Sequence, residues 1–274
     1  MLSALIFLGA QFVGGIIVTL LSVDLEQLVK NPDASENIQV KMSAETLALT
    51  TVITGIIAVV LVKWLLKSIH MKEAFTPRNI QSGSHLAWGL LAIIGAFAGI
   101  FSTNLLSEQL KLPNMLENEF LDMSQSLIGI LSIGVIAPIV EELIFRESIE
   151  GQMLRDGASP QKAICLSALA FGIIHINPAQ VPFAIIIGVV LGILYWKTRN
   201  ILLCGLVHIA NNMVAVIEMH VMGREAMEGS FADLMGSDAY VWGVMAASLL
   251  ISAGLLWGFC KKTQYNIENT TKEI

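Results

Sequence analysis

Charge is what this sequence has least of. Only 14% of its 274 residues are Asp, Glu, Lys or Arg, against about a quarter in an ordinary soluble domain, while 55% are hydrophobic and mean hydropathy is +0.71. So few ionic groups cannot cover the surface of a soluble protein of this length, which excludes a soluble enzyme and a disordered chain. The formal net charge is −6, and without a basic excess there is no electrostatic footprint for nucleic acid. Cysteine is scarce as well. Cys165, Cys204 and Cys260 are odd in number and lie in apolar stretches, which excludes a disulfide framework and a cysteine-rich zinc site. Internal repeats and low-complexity tracts are also missing.

What the sequence does have is long apolar runs. A spanning helix needs about 20 mostly apolar residues. Eight runs are candidates: 2–23, 46–66, 86–106, 127–145 or beyond, 162–176, 181–196, 201–219 and 240–260. The expected fold is therefore an all-α, polytopic membrane bundle of about eight transmembrane helices, one domain over 1–274 with no soluble domain appended. The first run lacks a basic flank and a clear small-residue cleavage site, so it is expected to be retained. The pairs Gly95/Gly99 and Gly188/Gly192 allow close helix packing.

Assigning the loops to alternate sides places twelve Lys and Arg with the two termini and four (Lys30, Lys41, Lys111 and Arg224) on the other side. Basic loops stay inside, so both termini are expected to be cytoplasmic, and the Asn269-Thr270-Thr271 sequon is then out of reach of glycosylation. The other face is acidic, with Asp24, Glu26, Asp33, Glu36 and Glu45 in one loop and Glu108, Glu117, Glu119 and Asp122 in another. These runs read most simply as solvated loops.

Ionisable groups inside spanning helices are costly and usually face the bundle interior. Three runs carry such polar residues: Glu141-Glu142-Leu143-Ile144-Phe145-Arg146, then Phe171-Gly172-Ile173-Ile174-His175, then His208-Ile209-Ala210-Asn211-Asn212. Glu142 and Arg146 stand at i, i+4 with the acid first, the favourable order for a structural ion pair. Glu141 lies about 100° round an α-helix from Glu142, a turn of 3.6 residues, and is free to serve as a general base for water. His208 and Asn212 share a helix face. Asn211 points away from it and is expected to pack between helices. Together these groups supply a base, an orienting or metal-binding imidazole and two oxyanion donors. For them to meet, the fourth helix has to run on past Arg146 towards Leu154, and that long helix is expected. Read as a relay, the same groups would instead fit an ion-coupled transporter, although no repeat or pair of broken helices supports it.

The three motifs resemble the CAAX protease and bacteriocin-processing family of intramembrane endopeptidases, which includes the type II CAAX prenyl proteases. The family pattern is Glu-Glu-x-x-x-Arg, Phe-x-x-x-His and His-x-x-x-Asn/Asp on separate helices. It is met by Glu141, Glu142 and Arg146, by Phe171 and His175, and by His208 and Asn212, over catalytic core helices at 126–215. Many relatives have a small residue after the arginine, where this chain has Glu147. The resemblance implies hydrolysis of a peptide bond in a membrane-associated, prenylated or bacteriocin-like substrate in a bacterial plasma membrane. Glu141 and His175 would activate water, and His208 and Asn212 would stabilise the oxyanion. A zinc ion on Glu141, His175 and His208 is one version; a metal-free reaction is the version slightly favoured. The alternative is a non-proteolytic scaffold or immunity-type protein of the same fold.

Overall fold

Among the described residues, seven stretches of apolar sequence form helices long enough to cross a membrane. They close their backbone hydrogen bonds within themselves, as a lipid-exposed chain must. A computed structural model describes residues 1–22, 43–76, 83–223 and 236–263, at 21–22 and 83–85 by their backbone alone. The acidic residues 24–36, the sequon and His85's side chain lie outside the described residues. Among the described residues there is no strand, and the chain is an all-α integral membrane bundle.

In chain order the helices are α1 (Leu2–Ser22), α2 (Ala44–Leu66), α3 (Met71–Ala74), α4 (Gly83–Leu110) and α5 (Glu117–Ser124). Then come α6 (Leu127–Arg155), α7 (Pro160–Ile173), α8 (Val181–Thr198), α9 (Leu202–Met222) and α10 (Asp238–Lys262). The fifth candidate span is the one that comes out short. Ser159 caps α7 by accepting the Lys162 N–H, and the helix stops after 14 residues, ahead of Asn177-Pro178. Residues preceding proline are pushed out of helical geometry. The fourth candidate is as long as expected, 29 residues through Arg155.

Small residues set the helix contacts. A Cβ on Gly95 would come within 2.9 Å of Leu255, and one on Gly99 within 2.6 Å of Ser252, so α4 and α10 meet along that stripe. Gly188 and Gly192 do the same for α8, against Ala168 and Ile164 of α7. Hydrogen bonds fix which helix ends lie together. At one end Arg155 Nη2 donates to the Ser68 carbonyl and Lys197 Nζ to that of Thr263. At the other, Asn177 Nδ2 donates to Asn114 Oδ1 and the Ala179 N–H to the Pro113 carbonyl, tying the α7–α8 turn to the α4–α5 loop.

That turn carries His175, and it has little room. A Cβ on Gly172 would lie 2.2 Å from Ile185 Cγ1 and 2.9 Å from the Val181 carbonyl oxygen. Gly172→Ala should therefore cost about 1–3 kcal/mol through overpacking, read as a lower unfolding midpoint in detergent; an unchanged midpoint would show that the turn yields freely.

Candidate active site

Helix α6 is wound unusually, and its sequence shows part of the reason. Ser126 caps its start, Oγ accepting the Gly129 N–H at 3.0 Å. Pro138 follows within three turns. It has no N–H to donate back, and its ring crowds the turn before it. That turn, Ser132–Ile136, widens into a π-helix in which the Ala137 N–H bonds the Ser132 carbonyl. A second π-helical stretch runs from Glu142 to Gly151, all of it buried. π-turns inside α-helices frequently mark functional sites.

The two adjacent glutamates, on either side of the junction between an α-helical and a π-helical stretch, have different surroundings. Glu142 is fully buried, its Oε2 3.2 Å from Arg146 Nε. Glu141 keeps 15% of its side chain exposed and lines a cavity of about 750 Å³. The expected ion pair is present but not closed on itself: Glu142 Oε1 also lies 2.9 Å from His208 Nδ1. His208 Nε2 in turn faces Glu141 Oε2 at 3.5 Å. One imidazole thus bridges both carboxylates, with Glu142 holding the ring in place.

Phe171 packs at the centre of the site. Its ring meets His175 and His208 edge-on, with centroids 4.9 and 5.6 Å apart, and the Arg146 guanidinium sits 5.0 Å over its face. Arg146 Nη1 also donates to Ser167 Oγ, which donates to the Phe145 carbonyl. His175 Nδ1 is 2.7 Å from the Phe171 carbonyl oxygen. A carbonyl only accepts, so Nδ1 carries the proton and Nε2 keeps its lone pair in the neutral ring. Just beyond, Ile176 is held at φ 56°, an outlier for a β-branched residue and a strained link beside a polar site.

On α9, Asn212 Nδ2 donates to the Ile133 carbonyl at 3.2 Å and its Oδ1 accepts from Asn211 Nδ2 at 3.1 Å. With oxygen and nitrogen both engaged, the amide is fixed and has one N–H left over. Glu141, His175, His208 and Asn212 all line the one cavity, while Glu142 and Arg146 stay behind it. Asn211 lines it too, which corrects the expectation that it merely packs between helices.

Sequence reasoning missed a second buried polar layer on the same helix. Glu147, 1% exposed, accepts from Tyr195 Oη at 2.6 Å and from Arg155 Nη1 at 3.0 Å, with His70 Nδ1 3.4 Å away. Ser148 shares hydrogen bonds with Ser3 and Ser68. Glu150 is buried with neither carboxylate oxygen hydrogen-bonded. The i, i+4, i+8 run of Glu142, Arg146 and Glu150 was the available signal. Among the described residues no group of three or more His, Cys, Asp or Glu side chains is gathered in a way that could hold a metal ion.

A carboxylate, two imidazoles and an oriented amide around one cavity in a helical membrane bundle have the make-up of an intramembrane hydrolase. Residues 123–214, about a third of the chain, match the family model described as Type II CAAX prenyl endopeptidase Rce1-like. That segment contains all three motifs, bears out the resemblance read from them, and supports a CAAX-type intramembrane endopeptidase in general. No curated protein and no solved structure matches the chain.

Proposed function

We propose that the protein hydrolyses a peptide bond in a membrane-associated peptide or protein, using protein groups alone. The observation that carries this reading is the division of labour between adjacent carboxylates: Glu142 is spent on Arg146 and His208, and Glu141 alone reaches the cavity. Glu141 takes one proton from water, and His175 Nε2 accepts a hydrogen bond from the O–H that remains and so orients the oxygen. The hydroxide oxygen attacks the carbonyl carbon. The resulting oxyanion takes hydrogen bonds from the spare N–H of Asn212 and from His208 Nε2–H, which requires His208 to act as the imidazolium, since its Nδ1–H is already given to Glu142. Glu141 then passes its proton to the leaving amine as the C–N bond breaks, and returns to carboxylate.

Apolar walls formed by Leu47, Val52, Phe120, Ile136 and Phe183 suit a substrate with a hydrophobic segment or lipid group beside the scissile bond. A prenylated C-terminus and a bacteriocin-like precursor both have that character.

The direct test is cleavage of membrane-anchored peptides by the purified protein in proteoliposomes made in H₂¹⁸O. One ¹⁸O in the new carboxyl group is expected; intact peptides throughout the panel would refute hydrolysis. Asn212→Ala should lower kcat by about 10²–10³, the loss seen for one oxyanion donor, with KM little changed. A change confined to KM would move Asn212 from the oxyanion to substrate binding.

A further inference from the structure

The cavity belongs to one end of the bundle. Its wall is made by the first half of α2 (Leu47, Thr51), the last turns of α4 (Asn104, Ser107), the exposed Glu119 of α5 and the start of α8 (Phe183). It also takes in α6 from Ser132 to Glu141 and α9 from His208 to Met219, and the outer ends of these stretches lie together: His220 Nδ1 contacts the Ser124 carbonyl, and Gln125 Nε2 donates to that of Met219. The basic residues belong to the opposite end. Lys63 and Lys67 close α2, Arg155 closes α6, Lys197 ends α8, and Lys261 and Lys262 end α10. Hydrogen bonds from Arg155 to Ser68 and from Lys197 to Thr263 gather these helix ends into one face. At the cavity's end, Lys111 is the one Lys or Arg among the described residues, beside Glu108, Glu117, Glu119 and Asp122.

Basic residues concentrate on the cytoplasmic face of a membrane protein. We infer that the cavity is entered from the extracytoplasmic side, so that its substrate is a peptide segment exposed there, part of a membrane-anchored or exported protein. This identification of the substrate rests on the proteolysis proposed above; the side of entry does not. A chain end presented by the cytoplasm would meet the basic face and would have to pass the buried layer of Glu147, Ser148 and Glu150 to reach Glu141.

The test is thiol labelling in intact cells. In a Cys165→Ala, Cys204→Ala, Cys260→Ala background, Ser107→Cys and Glu119→Cys report the cavity's end, and Lys162→Cys reports the basic face. A membrane-impermeant maleimide should modify Ser107→Cys and Glu119→Cys in intact cells, and Lys162→Cys only after permeabilisation. The reverse pattern overturns the inference, as does cavity-end labelling that appears only on permeabilisation. Should the cysteine-free background fail to fold, fusions after Ile274 of the unaltered chain serve instead. A fluorescent C-terminal GFP with an inactive C-terminal alkaline phosphatase supports a cytoplasmic basic face, and an active phosphatase overturns it. Neither measurement needs catalysis, so a failure of the proteolytic reading, seen as absent ¹⁸O uptake, remains distinguishable.

Discussion

Glu141→Gln removes peptide cleavage, by about 10²–10⁴-fold as expected for loss of a general base, and leaves the bundle folded. The amide keeps the size of the carboxylate and can still approach His208, but it cannot take a proton from water. The fold should be indifferent because Glu141 sits at the cavity edge, and the carboxylate that pairs with the buried Arg146 is that of Glu142. Single-turnover cleavage in proteoliposomes measures the first effect, and the unfolding midpoint in detergent the second. The neighbouring change is the control. Glu142→Gln weakens the contacts to both Arg146 and His208, so it should lower stability and activity together. Full cleavage by Glu141→Gln would remove that residue from the chemistry, and equal loss of stability in the two variants would show that the carboxylates share one structural role.

The largest stability effect is expected at Arg146. Its guanidinium is fully buried and contacts Glu142, Ser167 and the ring of Phe171, and Glu150 lies one further turn along the same helix. Arg146→Met removes the positive charge and leaves buried carboxylates uncompensated, a loss of about 3–5 kcal/mol for a broken buried pair. Adding Glu142→Gln to Arg146→Met should recover part of it, since the partner charge is then gone as well and residues in one network are not additive. Unfolding midpoints of the two single variants and the double variant check this. A loss below about 1 kcal/mol for Arg146→Met, the range of an exposed pair, would mean that the guanidinium's charge is not needed inside the bundle.

Much of this protein was legible before any coordinates. Hydropathy located the spanning helices because a membrane helix satisfies its own backbone, so the signal is local. It failed only at α7, where Asn177-Pro178 ends the helix after 14 residues and apolar composition alone could not show the stop. The i, i+4 spacing of Glu142 and Arg146 was enough to pair them, and the need for the polar residues to meet was enough to require a long α6.

The sequence by itself determined that the chain is a membrane bundle, the order of its helices and which residues carry polar chemistry, because composition and helical period act within one segment. Only the tertiary structure decided what those residues do for one another. His208 reaches Glu142 across 66 positions in the chain, and neither residue shows in its own neighbourhood that it will hold the other. Glu141, the last residue of an α-helical stretch of α6, faces the cavity, and the π-helical stretch that follows buries Glu147, Ser148 and Glu150. Asn211 joins the site because α9 packs against the wide turn at Ile133, where the Asn212 amide finds its partner. Each of these outcomes depends on helices meeting at a particular depth and rotation, which is set by packing between segments and not by the pattern within any one of them.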